Sequence, residues 1–329
     1  MRKKILFLFF YVSLAITFLS SCSRGNHENK LGKWLDNNGK LKVLCTVAML
    51  TDVVKQVGGD YVDVITLIDG ELDPHSYELV KGDDDKLNFA QIIFYNGLNL
   101  EHGPSLKSYL EASSNSVAVG DWIINQSPGL LLYTSGQKDP HIWMDVSIWR
   151  RGISPIVEAL AQAMPEHAEI FQKNGDVLGE EMDRIHMSLQ KELKAVPAHK
   201  RYLVTSHDAF NYFTRAYLSE KDEWKDEAWR IRCNAPEGLA PESQLSVSDI
   251  QRIINHLIKY DLHVIFSESN VSKDSIRKIV NAGAEKGLNV TIPKVVLYAD
   301  AMGAKGSDGD TYLKMIQHNA RVIADYLNK

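Results

Sequence analysis

The chain has few cysteines and no concentrated block of basic residues. Only 3 of its 329 residues are cysteine, and no pair has the Cys-x-x-Cys spacing of thiolate metal sites and redox centres. Its 37 lysines and arginines are scattered among 42 acidic residues, for a formal net charge of −5, which argues against nucleic acid as a partner. It also lacks a Walker motif and, after residue 21, any apolar run long enough to span a membrane. These absences argue against a thiol redox enzyme, a nucleic-acid-binding protein, an ATPase and a permease.

The N-terminus has the pattern of a bacterial lipoprotein signal. A basic start precedes an apolar stretch from Ile5 to Phe18, and the sequence Leu19-Ser20-Ser21-Cys22 follows. The apolar stretch is shorter than the roughly 20 residues that a membrane-spanning helix needs. We therefore expect removal of residues 1–21 and lipidation of Cys22, which would anchor the protein in the periplasm or on the outer face of the cell membrane.

The mature chain divides into a tether and a body. Residues 22–40 are polar and rich in turn formers, which predicts a tether between the lipid anchor and the folded part. Roughly 290 residues remain, a length that suits two domains better than one. We predict an N-terminal lobe over 41–164, a connecting helix over 165–196 and a C-terminal lobe over 197–329.

The two remaining cysteines, Cys45 and Cys233, could form a disulfide in such a compartment. Cys45 lies in the first predicted strand and Cys233 in the second half of the chain. This separation favours two buried free thiols.

Short apolar runs alternate with helical stretches along the body, which predicts an α/β fold. Four predicted strands fall in each half, so we expect two lobes, each with a four-stranded parallel sheet flanked by helices. The predicted strands are Lys42–Ala48, Val62–Ile68, Gln91–Tyr95, Ser116–Val119, Arg201–Ser206, Ala228–Cys233, Leu262–Phe266 and Asn289–Ile292.

The longest helical pattern lies between the two halves. Pro165 suits the first turn of a helix, Pro197 ends the pattern, and an apolar stripe continues from Phe171 to Val196. Gly175 and Gly179 predict a local weakness or a kink. At about 1.5 Å per residue the helix would be roughly 45 Å long. A single connection of this kind predicts only small movements of the lobes.

The tripeptide Asp-Pro-His occurs twice, ending at His75 and at His141. Proline fixes its own φ near −65° and extends the residue before it, so both imidazoles are predicted to lie on stiff loops, as a metal site requires. A single copy would more simply indicate a turn with an exposed histidine. His207 and Asp300 also follow predicted strands, and ligands of open parallel sheets gather at the carboxyl ends of strands.

Motifs along the whole mature chain resemble those of one family. They are LDPHSYE with GLNLEHG (Gly97–Gly103), DPHIWMD, SHDAFNYF (Ser206–Phe213), PEGLAPE (Pro236–Glu242) and LYADAMG (Leu297–Gly303). With the lipoprotein signal, they resemble the metal-binding lipoproteins of bacterial ABC importers, the cluster A-I or zinc-uptake-like solute-binding family. The resemblance implies two α/β lobes joined by one long helix, with a divalent transition metal in the cleft as the transported ligand. The metal ligands that it implies are His75, His141, His207 and Asp300.

Three neutral imidazoles and one carboxylate would leave a bound divalent ion with a formal charge of +1, which a polar cleft tolerates. Asp73, Asp139 and Asp208 are candidates to orient the rings, although each would equally serve as a cap or turn former. Glu268, near the end of a predicted strand, is a further candidate near the metal and a reserve ligand. We expect three aromatic side chains to wall the site from water: Tyr77, Trp143 and Phe210.

The other histidines are not expected to be ligands. His102, in the LEHG motif, suits a structural or supporting role better than direct coordination. His167 and His186 lie on the predicted long helix, where we expect a solvated face. The rest have no partner at ligand spacing or lie in the tether: His27, His199, His256, His263 and His318.

The identity of the metal is harder to predict. Mn²⁺, Fe²⁺ and Zn²⁺ all suit the resemblance, and intrinsic affinity favours zinc over manganese in vitro. Zinc-dedicated members of the family have a loop rich in histidine and acidic residues before the second ligand, whereas residues 126–138 contain neither. This difference favours manganese or iron.

The resemblance also implies partners. We expect a monomer that delivers its metal to an ABC permease driven by an ATPase, both separate chains, and we expect no enzymatic activity. A metallohydrolase would need an open coordination position, for which four protein ligands leave little room. A surface adhesin remains an alternative, because a lipid anchor suits both roles.

Overall fold

The computed structural model describes residues 31–241 and 245–328. The chain divides into two compact units at Gly39 and Lys40. In the first unit, residues 31–35 are helical, where the composition predicted a tether. The signal peptide, Cys22 and the rest of that tether up to residue 30 lie outside the described residues. The second unit contains all the elements described below.

The first sheet is parallel, with the strand order β2-β1-β3-β4. All five residues of β1 are buried, as expected for a central strand with both faces covered. The sequence therefore predicted these four strands correctly to within a few residues. The elements in chain order are β1 (Leu41–Cys45), α1 (Ala48–Gly58), β2 (Val62–Thr66), α2 (Asp83–Phe89), β3 (Ile92–Tyr95), α3 (Pro104–Ala112), β4 (Ser116–Ala118) and α4 (Val119–Gln126).

A small hairpin and three helices lead into the second half. They are β5 (Tyr133–Thr134), β6 (Gln137–Lys138), α5 (Val146–Trp149), α6 (Ile153–Ala163) and α7 (Ala168–Lys194). The helix α7 has 27 residues, which gives it a length of about 40 Å. It begins after a 3₁₀ turn over Pro165–His167.

The predicted kink in α7 is absent, because the helix continues unbroken through Gly175 and Gly179. A Cβ atom at Gly175 would lie 2.9 Å from the Cγ2 atoms of both Ile153 and Val157. Glycine at this position therefore lets α6 pack closely against α7, and the close packing offsets the weak helix propensity of glycine.

The second half has less regular strands than predicted. A two-stranded parallel sheet joins β7 (Leu203–Val204) to β8 (Cys233–Asn234). Isolated parallel bridges join Val264 to Thr291 and Glu268 to Leu297, so the last two predicted strands are present only as such bridges. The helices are α8 (Asn211–Phe213), which continues into a π turn over Thr214–Leu218, α9 (Val247–Lys259), α10 (Asp274–Ala284) and α11 (Tyr312–Leu327).

The predicted strand Ala228–Cys233 is wrong over most of its length, because Ala228–Arg232 is a 3₁₀ helix. Trp229 and Arg232, three residues apart, are buried, as the period of a 3₁₀ helix requires. Ile231 is 47% exposed, so the alternation of apolar residues was misleading. The Arg232 guanidinium donates to Glu223 and to the carbonyl oxygen of Ala198, and these bonds hold the turn in place.

Cys45 and Cys233 are buried free thiols, as the sequence favoured. Burial raises the pKa of Cys45 to about 12 and that of Cys233 well above its usual range, so both thiols stay protonated. Across the described ranges, every helix is too short or too polar to cross a membrane.

Candidate metal centre

Four side chains from four separate loops meet at one point of the second unit. The cluster consists of His75, His141, His207 and Asp300. One ligand atom from each lies within 4.8 Å of the others. The Asp300 carboxylate lies 3.7 Å from Nε2 of His75, 3.4 Å from Nε2 of His141 and 3.1 Å from Nε2 of His207. The structure thus brings together all four residues that the sequence singled out.

The loops reach this point because of where the strands end. The His75 loop follows β2, and His207 lies three residues after β7. Asp300 follows the bridge at Leu297, and the partner of Leu297 in that bridge is Glu268. Ligands of parallel sheets gather at the carboxyl ends of strands, and these three residues all lie at such ends. His141 arrives from the loop after the β5–β6 hairpin.

The cluster is buried and its facing atoms have no partners. The four residues are at most 3% exposed. Among the described residues, Nε2 of each of the three histidines and Oδ1 of Asp300 are buried atoms without a hydrogen-bond partner. Buried polar atoms are normally satisfied, because desolvating one without compensation costs about 1–3 kcal/mol. Four such atoms facing one another indicate that a cation belongs between them.

A buried carboxylate orients the His141 ring. Nδ1 of His141 donates to Oδ1 of Asp139 at 2.7 Å, and the backbone N–H of His141 donates to the same oxygen at 3.0 Å. The Asn211 amide donates to the other Asp139 oxygen at 3.0 Å. With Nδ1–H held in this way, the neutral ring directs its Nε2 lone pair at the centre.

Glu268 orients the His207 ring in the same way. One Glu268 oxygen accepts from Nδ1 of His207, and the other accepts from the backbone N–H groups of Ser206, at 2.8 Å, and His207, at 3.0 Å. Glu268 is therefore placed behind the ring rather than among the facing atoms, which differs from its suggested use as a reserve ligand. The Asn270 amide approaches Asp300 at 3.4 Å, a contact that nothing in the sequence indicated.

The charges in the cluster shift the pKa values in opposite directions. Burial lowers the pKa of His141, but Asp139 and Asp300 outweigh it and raise that pKa to about 9. Burial likewise opposes protonation of His207, yet Glu268 and Asp300 raise its pKa well above the usual value. Burial dominates at His75 and lowers its pKa to about 3, despite the nearby Asp300.

Burial would raise the pKa of Asp300, but His207 and His141 hold it well below its usual range. Asp300 is therefore ionised at neutral pH, and it provides the negative charge that a bound cation needs.

Two of the suggested ring-orienting residues do not contact a ring nitrogen. Asp73 accepts from the backbone N–H of His75 at 2.9 Å and from the Ser76 hydroxyl at 2.6 Å, so it shapes the loop. Asp208 accepts from the Asn211 amide at 3.0 Å. Both lie within two positions of a histidine in sequence, but the loop geometry turns their carboxylates elsewhere.

Of the three aromatic residues that we expected to shield the site from water, Trp143 packs directly on a histidine of the cluster. Trp143 is fully buried, with its ring 5.3 Å from that of His141, and it donates Nε1–H to the Ala299 carbonyl oxygen at 3.0 Å. Phe210 is also fully buried and packs against Phe213. The hydroxyl of the half-buried Tyr77 donates to Asp83 at 2.8 Å.

His186 lies on α7 but not on a solvated face, contrary to expectation. Its Nδ1 lies 3.0 Å from the Tyr217 hydroxyl and 3.7 Å from Asp145, and its side chain is 16% exposed.

His102 lies beside the cluster, with its ring 5.6 Å from that of His75.

The chain is similar to known metal-binding proteins. Residues 43–326 match the family described as ZnuA, zinc-uptake complex component A, periplasmic. The metal-binding protein YtgA of Chlamydia trachomatis is 40% identical over 329 residues, which cover 99% of this chain and 96% of that protein. The manganese-binding lipoprotein MntA of Bacillus subtilis is 32% identical, covering 95% of this chain and 97% of that protein.

Solved structures show the same fold. The crystal structure of Fe(III)-bound YtgA from Chlamydia trachomatis superposes with a TM-score of 0.83 at 40% identity, covering 88% of this chain and 98% of that one. The periplasmic zinc-binding protein TroA from Treponema pallidum gives 0.79 at 30% identity, covering 88% of this chain and all of that one. The chain therefore belongs to the zinc-uptake complex component A family, the metal-binding solute-binding proteins of ABC metal importers, which are transport proteins and not enzymes.

Proposed function

We propose that His75, His141, His207 and Asp300 hold one divalent transition metal ion, which the protein captures outside the cytoplasm and hands to a permease for import. The observation that carries this proposal is the set of four buried, unpartnered atoms that face one another. A transition metal would satisfy all four at once.

The spacing of these atoms supports the assignment. Two ligand atoms about 2.1 Å from a metal and separated by a tetrahedral angle lie about 3.4 Å apart. The distances from the Asp300 carboxylate to the three Nε2 atoms, from 3.1 to 3.7 Å, bracket that value.

Manganese or iron is the cargo that we favour. The segment before His141 contains only the small β5–β6 hairpin and a 3₁₀ turn, without histidine or acidic residues between 126 and 138. Among the relatives, MntA is described as manganese-binding, YtgA has been crystallised with Fe(III), and TroA is described as zinc-binding. Three imidazoles also suit zinc, so the metal carried in the cell depends on supply as well as on affinity.

The proposal includes the setting in which the protein works. Lipidation of Cys22 would hold it in the periplasm or on the outer face of the membrane, next to a separate permease and ATPase. Relatives described as substrate-binding lipoproteins of metal ABC transporters support this setting. We propose that the protein works as a monomer.

Elemental analysis of the protein tests the proposal. Purified from its native compartment under anaerobic, chelator-free conditions, it should contain close to one equivalent of manganese or iron.

Titration of variants is a second test. His75→Ala and His207→Ala should each lower metal affinity at least roughly tenfold. His263→Ala is the matched control, because His263 is an exposed histidine that bonds Asp261 and the Asn289 carbonyl oxygen. Wild-type affinity in both cluster variants would refute the assigned site.

A further inference from the structure

The four loops of the cluster differ in how they meet solvent. Residues 139–146 around His141 are all buried, and so are residues 203–207 that lead to His207. In the His75 loop, by contrast, the residues on both sides of the buried Pro74 and His75 are exposed or half-buried. Among the three histidine loops, the His75 loop is therefore the one whose flanking residues reach solvent on both sides.

A second loop packs against the His75 loop. Gly103 packs so closely on the His75 loop that a Cβ atom there would lie 2.0 Å from the Tyr77 carbonyl oxygen. The Ser105 hydroxyl donates to Glu78 and accepts from the backbone N–H of Leu79 at 2.9 Å. These contacts hold His102, which directly precedes Gly103, beside His75.

The His102 and His75 rings lie as close together as the rings of the cluster. The His102 and His75 ring centroids are 5.6 Å apart. Among the three histidines of the cluster, the corresponding separations are 5.3, 5.4 and 6.3 Å. His102 is half-buried, whereas His75 is 2% exposed, so the pair spans the boundary between solvent and the cluster.

We propose that His102 is a transit ligand, which binds the entering or leaving metal ion together with His75 without belonging to the final coordination shell. This inference rests on the proposed function of the cluster. Nδ1 of His102 lies 3.3 Å from the Asn99 carbonyl oxygen, and the tautomer that donates from Nδ1 to this oxygen has its lone pair on Nε2.

A hydrated divalent ion must lose its water molecules before it enters a buried site. An imidazole at the boundary replaces water during that exchange and so lowers the barrier in both directions. Because His102 acts on the barrier and not on the bound state, its removal should slow capture and release together and leave the equilibrium affinity nearly unchanged.

Stopped-flow kinetics with Mn²⁺ and Zn²⁺ test this proposal. Binding to the apo protein is followed by tryptophan fluorescence, since Trp143 packs on His141, and release is followed by chelator chase. His102→Asn keeps an amide N–H near the position of Nδ1 and removes Nε2, whereas His102→Gln places an amide oxygen or nitrogen near Nε2. His263→Ala is again the control.

We expect His102→Asn to lower the association and dissociation rate constants together by roughly fivefold or more, with the dissociation constant within about threefold of wild type. His102→Gln should be intermediate. Unchanged rate constants for His102→Asn would overturn the transit role while leaving the cluster assignment intact. Faster release with a loss of affinity above about tenfold would make His102 a permanent ligand and would also overturn the transit role. If His75→Ala binds metal like wild type, the proposed function itself fails.

Discussion

His141 and His207 each direct one ring nitrogen at a buried carboxylate and the other at the centre of the cluster. The corresponding acid beside His75, Asp73, instead bonds the backbone and Ser76. The sequence offered Asp73, Asp139 and Asp208 as equivalent candidates, because two of them lie two positions before a histidine and the third directly follows one. Only the loop geometry decides which carboxylate faces a ring. Glu268, 61 residues after His207, reaches that ring through the packing of strands, which local sequence does not reveal.

Substitutions of these acids should separate ring-orienting residues from loop-shaping ones. Glu268→Gln and Asp139→Asn should each lower metal affinity about 10- to 100-fold, because the ring loses a charged acceptor that fixes its tautomer and raises its basicity. Asp73→Asn, the matched control on the third histidine loop, should stay within about threefold of wild type, because Asp73 does not contact a ring nitrogen. Competition titration against a metal indicator measures all three. Equal losses at the three positions would contradict the assignment of roles.

The raised pKa values of His141 and His207 predict proton release on metal binding. Asp139 and Asp300 outweigh burial and bring the pKa of His141 to about 9, so this ring carries a proton at pH 7 in the metal-free protein. The metal binds only a deprotonated Nε2, so affinity should rise with pH up to about pH 9 and fall as the pH is lowered. Calorimetry at pH 7, in two buffers of different ionisation enthalpy, should detect about one to two protons released per metal. A binding enthalpy that does not depend on the buffer would contradict this account.

At the scale of elements, the first half of the fold was predictable and the second only in part. The strand β3 is a continuous apolar run, and β1 is apolar apart from the buried Lys42, which is close to the usual signature of buried parallel strands. In the second half, strands of two residues and isolated bridges are too short to give a clear pattern. There, side-chain bonds such as those of Arg232 to Glu223 decide the backbone conformation, and they depend on residues distant in sequence.

Trp143 connects two of the loops that form the cluster. Its ring packs on His141, and its indole N–H donates to the carbonyl oxygen of Ala299, the residue before Asp300. Trp143→Phe keeps an aromatic ring but removes the indole N–H, so the buried Ala299 carbonyl oxygen loses this donor. We expect metal affinity to fall by roughly fivefold, about 1 kcal/mol, because Asp300 is less firmly placed.

Trp224→Phe is the control for this substitution. Trp224 is 45% exposed and donates its indole N–H to the Ser219 hydroxyl, away from the cluster. Titration of both variants should show a loss of affinity for Trp143→Phe alone. A similar loss in both variants would mean that general destabilisation, and not the Ala299 bond, is responsible.

At the scale of the whole molecule, α7 packs against elements from both halves of the chain. It contacts α1 and α6, which precede it in the chain, and α11, which follows it. Tyr312, at the start of α11, donates its backbone N–H to Asp52 at 3.0 Å and its hydroxyl to the Trp143 carbonyl oxygen at 2.7 Å. We expect these contacts to resist a wide hinge movement, so that the long helix acts as a rigid support.

Metal binding should therefore stabilise the protein strongly while moving it little. A metal in about hundredfold excess over its dissociation constant adds roughly 2.7 kcal/mol to the free energy of unfolding, if the unfolded chain binds it only weakly. This corresponds to a rise of several degrees in Tm. Calorimetry should show the shift for wild type and a much smaller one for His75→Ala, and solution scattering should show nearly the same radius of gyration with and without metal. A large decrease in that radius would contradict the rigid-support account.

Anomalous diffraction from crystals grown with Mn²⁺ or Zn²⁺ can show whether three imidazoles and one carboxylate hold the metal. Data collected on both sides of the metal absorption edge locate the ion without assumptions about its ligands. We predict one strong peak between the four side chains, about 2.0–2.2 Å from Nε2 of His75, His141 and His207 and from the carboxylate of Asp300. A principal peak at any other place, or one within bonding distance of fewer than three of these residues, would contradict the account.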